Sequence, residues 1–255
     1  MVMKRAILFL ALALVSLAAN ANVQRDSLWN IAVECYASDD FEGALAGFKE
    51  LEKLGYESEE LFYNMGNTYY KMSGYIAYSV LYYERALKLN PSYKDAQANL
   101  EFVRQFTLDK IESVPEFVLV TWFKSFRDIL SSDGWAYMAL VSLVVIALLM
   151  LVFRFGQGMA WRKISFILAI IVAIFMAISV IFSFGLKNEM ESQDGAIVVN
   201  PVSSVKSSPN NTGKSLFIIH EGTKVTVLEE LGQWSKVELS DGRQGWIVKR
   251  DIEII

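Results

Sequence analysis

The chain has 255 residues, with 24 lysines and arginines against 28 aspartates and glutamates, which gives a formal charge of −4. This slightly acidic balance argues against nucleic acid as a partner, because nucleic-acid binding rewards a basic surface. Hydrophobic residues make up 53% of the chain. They are concentrated in a few long segments, so they do not indicate one large core.

The first segment, residues 1–21, is typical of a secretory signal peptide. A basic start at Lys4 and Arg5 precedes an apolar run, and Ala19-Asn20-Ala21 is a small-x-small cleavage signal. The alternative is an uncleaved N-terminal anchor. Under both interpretations the following residues are exported.

Two stretches after the signal, residues 25–57 and 59–92, are similar to each other at a spacing of 34 residues, which also separates Ala32 from Gly66. This period, with small residues where helices cross, is the pattern of the tetratricopeptide repeat. Two repeats are fewer than the three or so that a stable stack needs, so a further helix should cover the exposed end.

We therefore predict an all-α tetratricopeptide-repeat domain over residues 22–112, with a capping helix over 94–111. An amphipathic, aromatic-rich helix should follow over residues 113–131. Such a helix lies in the membrane interface when it precedes a span. Packing on the repeat domain is the alternative for this helix.

Tetratricopeptide repeats bind peptides or partner proteins on the concave surface formed by their first helices. Ordinary packing explains any single aromatic residue on this surface equally well, but the set as a whole favours a binding groove. By repeat position, the groove should be lined by Trp29, Val33, Tyr36, Tyr63, Asn67, Tyr70 and Lys71.

Residues 135–153 and 164–186 are apolar runs free of charged side chains. Each is near the ~20 residues that a helix needs to cross a membrane. The loop between them, residues 154–163, carries three cations and no acid, which favours the cytoplasmic side. The domains before and after the two spans should then lie together on the other side.

The chain changes to a period of two after a polar linker over residues 187–195. Six short strands and the Asp241-Gly242 turn predict an all-β barrel over residues 196–255. The runs His220–Val225 and Gly245–Ile247 resemble the bacterial SH3-like domain, which often attaches to cell-wall glycan or peptide. By this resemblance its ligand contacts would be Trp234 and Trp246, although each of these could instead be core.

The sequence does not predict an enzyme or a cofactor. His220 is the only histidine and Cys35 the only cysteine, and they fall in different predicted domains. No glycine-rich phosphate loop or metal-ligand cluster occurs. A lone cysteine also excludes an intrachain disulfide.

The whole order of segments resembles the BatE family, the tetratricopeptide-repeat and SH3-like membrane proteins of the Bacteroides aerotolerance (Bat) operon. Ser131-Ser132-Asp133-Gly134-Trp135, at the start of the first span, is the most telling local match. The resemblance implies a two-pass protein of the bacterial inner membrane with both soluble domains in the periplasm. The implied partners are von Willebrand A-type Bat proteins and a MoxR-type ATPase, in an envelope complex linked to aerotolerance or stress.

Two functions therefore remain open. One is a membrane-anchored scaffold that binds proteins through its groove and its SH3-like domain. The alternative is a protein that binds peptidoglycan through the SH3-like domain.

Overall fold

A computed structural model describes four stretches of the chain, residues 25–111, 117–156, 158–192 and 194–255. The predicted signal peptide lies outside them. Within these stretches the chain forms eight α-helices and then seven strands. The helices are α1 (25–37), α2 (Phe41–Lys53), α3 (Glu59–Lys71), α4 (Ile76–Leu89), α5 (Lys94–Arg104), α6 (Val118–Arg127), α7 (Ser132–Phe155) and α8 (Met159–Glu191).

The first four helices form two antiparallel hairpins, and small residues lie at both crossings. A Cβ atom on Gly47 of α2 would lie 2.8 Å from the Cβ of Ala32 on α1. A Cβ on Gly66 of α3 would lie 2.7 Å from the ring of Tyr83 on α4. Since real Cβ atoms do not approach this closely, larger residues at either glycine would push the helices apart.

The helix expected over residues 94–111 is shorter, because α5 ends at Arg104. Asp109 binds the sheet instead. Its Oδ2 accepts hydrogen bonds from the backbone N–H of His220 (2.6 Å) and from the hydroxyl of Thr223 (2.7 Å). These contacts hold the segment around Asp109 against the sheet. The chain therefore leaves the axis of α5 after Arg104.

The C-terminal region is a seven-stranded antiparallel sheet in the order β3-β2-β6-β5-β4-β1-β7. Its last strand was not expected from the sequence; it pairs with β1. One face of the sheet packs on an apolar core that includes Val205, Val237 and Ile247. The strands are β1 (Gly195–Val198), β2 (Val202–Lys206), β3 (Ser215–His220), β4 (Lys224–Leu231), β5 (Trp234–Glu238), β6 (Gln244–Val248) and β7 (Ile252–Ile254).

Two of the described helices, α7 and α8, are long and apolar enough to cross a membrane. They extend beyond the predicted spans, 135–153 and 164–186, so the loop predicted over residues 154–163 is shorter than expected. Within the described residues, the helix predicted over residues 113–131 is shorter and runs over Val118–Arg127. Part of that prediction falls outside them.

The polar linker predicted over residues 187–195 is mostly helical, because α8 continues to Glu191 and β1 begins at Gly195. An ion pair joins this added part of α8 to α6. Glu189 of α8 forms an ion pair with Arg127 of α6, with Nη1 and Oε2 2.9 Å apart. Most of the predicted linker is therefore part of α8.

The sheet also packs against the helical region. Glu84 of α4, whose side chain is 8% exposed, accepts hydrogen bonds from Lys224 of β4 (2.7 Å) and from Arg104 of α5. Two cationic side chains, one from the helical region and one from the sheet, thus meet at one carboxylate.

A second set of contacts joins α4 to the end of the sheet. Nη2 of Arg85 donates to the carbonyl of Ile254 (2.7 Å), and Nζ of Lys88 donates to the carbonyls of Ile255 (2.8 Å) and Ser192 (2.5 Å). Burial and the neighbouring charge of Arg85 both lower the pKa of Lys88 from its usual 10.5. The helical region and the sheet therefore form one packed unit.

Candidate ligand-binding surfaces

The predicted groove residues lie on the helical hairpins, with several of them in contact with α5. Val33 and Lys71 are exposed, and the others are partly buried. Trp29 packs edge-to-face on Phe48, with ring centroids 5.8 Å apart. Tyr36 packs in the same way on Phe41, at 5.6 Å. These two aromatic side chains therefore contribute to hairpin packing as well as to the surface.

A polar cluster lies between α3, α4 and α5. Oδ1 of Asn67 accepts hydrogen bonds from the hydroxyl of Tyr83 (2.6 Å) and from Nδ2 of Asn99 (2.9 Å). Nδ2 of Asn99 also donates to the hydroxyl of Tyr63 (3.2 Å). The structure thus brings the predicted residues Tyr63 and Asn67 together with two residues that were not predicted.

One hydrogen-bond donor and one acceptor of this cluster are left without a partner among the described residues. Among the described residues, neither Nδ2 of Asn67 nor Oδ1 of Asn99 has a hydrogen-bond partner. Burial raises the pKa of Tyr83 well above its usual 10.0, and it outweighs the hydrogen bonds from Ser79 and Asn99, which lower it. The hydroxyl of Tyr83 donates to Oδ1 of Asn67 and so keeps this acceptor occupied. The cluster offers one amide donor and one amide acceptor to a ligand.

Aromatic rings form the walls beside this cluster. Tyr63 packs on Tyr93, with ring centroids 5.1 Å apart. Tyr70 packs on Phe102 at 5.7 Å and on Phe106 at 6.3 Å. Phe102 and Phe106 are half exposed. This surface therefore combines aromatic rings with a polar cluster, and α5 contributes Asn99 and Phe102 to it.

Sequence reasoning missed Asn99 because α5 was treated as a cap. A signal for it was nevertheless present. Ala96, Leu100 and Val103 are buried, and Asn99 lies within the same i, i+3, i+4, i+7 stripe. A polar residue on a buried helical stripe needs a hydrogen-bond partner. This requirement indicates that the partner of Asn99 lies in the neighbouring repeat.

The second surface is the outer face of the sheet. Ser235, Val237 and Ile247 are buried. Because side chains alternate along a strand, Trp234 and Lys236 of β5 point to the opposite face, as does Trp246 of β6. Lys236 is the cross-strand neighbour of Trp246. Both tryptophans are partly exposed, and neither belongs to the core cluster.

A second lysine extends this aromatic face. Nζ of Lys206 on β2 lies 5.4 Å from the centroid of the Trp234 ring, a distance typical of a cation–π contact. Lys206 is also the cross-strand neighbour of Trp246. Two tryptophans and two lysines therefore share one face.

Residues 202–253 match the family model of the bacterial SH3 domain. The chain thus consists of a helical N-terminal region, two apolar helices and a C-terminal antiparallel sheet with a bacterial SH3 domain. This domain is consistent with binding to a protein or to peptidoglycan. No curated protein sequence matches the chain.

His220 of the bacterial SH3 domain is engaged with the helical region. Its Nδ1 lies 3.0 Å from Oδ1 of Asp109. Among the described residues, no group of three or more histidine, cysteine, aspartate or glutamate side chains could hold a metal ion. His220 therefore has a structural partner at the junction of the two regions.

Proposed function

We propose that the protein is a non-enzymatic, membrane-anchored adaptor whose tetratricopeptide-type groove binds an extended segment of a partner protein. The observation that carries this proposal is the free donor of Asn67 beside the free acceptor of Asn99. An extended peptide has a backbone C=O and N–H at every residue other than proline. One such pair can satisfy both amides, while the partner's side chains contact Tyr70 and Phe102.

The fold supports an adaptor more than a loose tether. α8 has 33 residues, which at 1.5 Å per residue is about 50 Å. This exceeds the ~30 Å hydrocarbon core of a bilayer, so α8 extends into the soluble unit. The groove and the bacterial SH3 domain would therefore face a partner in one fixed orientation.

The proposed location is the bacterial inner membrane, with both soluble regions in the periplasm. The cations Arg154, Arg162 and Lys163 at the turn of the hairpin support a cytoplasmic turn. By resemblance to the BatE family, the partners would be membrane-anchored von Willebrand A-type Bat proteins together with a MoxR-type ATPase. The complex would contribute to aerotolerance or envelope stress.

The test is photocrosslinking of the full-length protein in intact cells. A photoreactive amino acid at Val33, an exposed position on α1, should give adducts that mass spectrometry identifies. Combining this label with Asn67→Ala and Asn99→Ala should remove the adducts. Asn64→Ala is the matched control, because the Asn64 amide lies on the same helix and donates to the carbonyl of Glu60.

Thermal melts of the variants, followed by circular dichroism, separate lost binding from lost folding. Adducts that persist in the double variant would contradict a groove that binds through these amides. Adducts that disappear equally in the Asn64→Ala control would show that the loss is not specific to the cluster.

Peptidoglycan binding is the second candidate function. It is favoured by the outer face of the bacterial SH3 domain, where Trp234 and Trp246 are accompanied by two lysines. Aromatic rings stack on sugar faces, and lysines attract the carboxylates of stem peptides. Sedimentation of the full-length protein with purified cell wall tests this function. Binding lost in Trp234→Ala/Trp246→Ala but kept in Trp161→Ala, a control outside the domain, would favour it over the groove.

A further inference from the structure

Helix α6 exposes an unusually apolar face. Val118, Leu119 and Trp122 are 77%, 65% and 75% exposed, and Phe117 just before the helix is 70% exposed. At 100° per residue, Val118, Trp122, Phe126, Leu119 and Phe123 follow each other around one side of the helix. Lys124 lies on the opposite side. No residue of α6 is buried.

The inner edge of this face joins α6 to the apolar hairpin. The ring of Phe123 lies 5.3 Å from that of Phe182 on α8. The ring of Phe126 lies 6.0 Å from that of Trp135 on α7. Nε1 of Trp135 donates to the carbonyl of Arg127, at 2.7 Å. These contacts hold α6 at the end of the hairpin that carries the soluble unit.

The hairpin that contacts α6 also exposes apolar side chains. Leu140 and Val141 of α7 are more than half exposed, as expected for side chains that face lipid. At the other end of the hairpin, Phe155 and Trp161 are 71% and 67% exposed. Aromatic residues of this kind concentrate at the headgroup level on both sides of a membrane.

The charged residues of α6 also fit a location at the headgroup level of a membrane. Its charged residues are Lys124 and Arg127, and it contains no carboxylate. A helix with an apolar face that includes tryptophan, and with cations on its polar side, lies in the interface of a bilayer. On this polar side, Arg127 is paired with Asp128 and with Glu189.

We propose that α6 lies in the lipid interface at the periplasmic end of the hairpin, with Val118, Leu119 and Trp122 among the acyl chains. This inference rests on the proposed membrane hairpin. Because Arg127 is paired with Glu189 of α8, α6 sets the height and tilt of the soluble unit above the membrane. The groove is thereby held at a constant distance from the lipid surface.

Spin labelling of the full-length protein tests the proposal. In a Cys35→Ser background, single cysteines at Trp122 and Lys124 report the two faces of α6. Labels at Leu148 in the hairpin and at Asn211 in a surface loop serve as lipid and water references. The protein is reconstituted in vesicles of phosphatidylethanolamine and phosphatidylglycerol, and relaxation by oxygen is compared with relaxation by a water-soluble nickel chelate.

The ratio of oxygen to chelate accessibility at Trp122→Cys should be several-fold higher than at Lys124→Cys and should approach that at Leu148→Cys. A label at Trp122 that is as open to the chelate as the label at Asn211 would place α6 in water. Shielding from both reagents would indicate that protein covers the face. Either result overturns the inference.

The Leu148→Cys reference separates this failure from failure of the proposed function. If the chelate reaches that label too, the hairpin itself is not in the membrane. Leu119→Cys, on the same face of α6, provides a second reporter if Trp122→Cys does not fold.

Discussion

Lys224 donates a hydrogen bond to Glu84 across a sequence separation of 140 residues, with Nζ and Oε2 2.7 Å apart. Glu84 lies on helix α4 and Lys224 begins strand β4. The carboxylate is nearly buried, whereas the lysine side chain is half exposed. This contact is part of the junction between the helical region and the bacterial SH3 domain.

A double-mutant cycle measures the strength of this contact. We expect Glu84→Ala and Lys224→Ala to be coupled by about 0.5–3 kcal/mol in the free energy of unfolding, because contacting residues in one network are not additive. Urea unfolding of the full-length protein in detergent provides the measurement. The control is the pair Glu230 and Lys249, 2.6 Å apart with both side chains about half exposed, for which we expect about 0–1 kcal/mol. Equal coupling energies in the two cycles would show that the burial of Glu84 does not strengthen its contact with Lys224.

Gly222 lies at the same junction, where an added side chain would clash with the helical region. Its φ of +82° disfavours a side chain, and a Cβ there would lie 2.6 Å from Cγ2 of Thr107 in the helical region. Gly232 also has a positive φ, +60°, but has nothing within 4 Å of its Cβ position. Both Gly→Ala changes carry the backbone cost of about 1 kcal/mol, whereas only Gly222→Ala adds a clash. We expect a larger loss of stability for Gly222→Ala in thermal melts; equal losses would mean that the junction opens freely.

Asp109 should make the junction sensitive to acid. Partial burial raises the pKa of its carboxyl, but hydrogen bonds from His220 and Thr223 outweigh burial and hold the pKa below the ordinary 3.8. A carboxyl with a lowered folded-state pKa stabilises the fold above its unfolded pKa, and this contribution is lost as the pH falls through the folded pKa.

Unfolding measured from about pH 6 down to about pH 3 should therefore show a steeper loss of stability in the wild type than in Asp109→Asn. The difference between the two proteins should be constant above the ordinary pKa and should shrink below it. Parallel curves over the whole range would show that Asp109 contributes no pH-dependent stability.

Ile247 and Trp246 are neighbours on β6 with opposite surroundings. Ile247 is fully buried, so Ile247→Ala should cost about 2–5 kcal/mol of stability through lost contacts and a cavity. Trp246 is partly exposed on the outer face, so Trp246→Ala should cost clearly less. Thermal melts of both variants provide the measurement. A larger loss for Trp246→Ala would assign this residue to the core, as the sequence alternative had it.

Much of the secondary structure could be predicted from the sequence because its causes are local. Ser58 accepts a hydrogen bond from the N–H of Leu61 at the start of α3, and Gly66 provides the space for Tyr83. The alternation of buried and exposed residues along β5 follows from the period of two in the sequence. The two long apolar runs likewise indicate α7 and α8 from composition alone.

Periodicity and turn residues act over a few positions, so the sequence predicts the helical hairpins, the two apolar helices and six of the seven strands. Three features appear only in the folded chain: α5 ends at Arg104, Asn99 joins the polar cluster with Asn67, and Glu84 contacts Lys224. These features depend on side chains from distant segments meeting in space. A hydrogen bond or ion pair across the fold does not identify its partner in the sequence of either segment, so the stripe of α5 that contains Asn99 does not reveal Asn67.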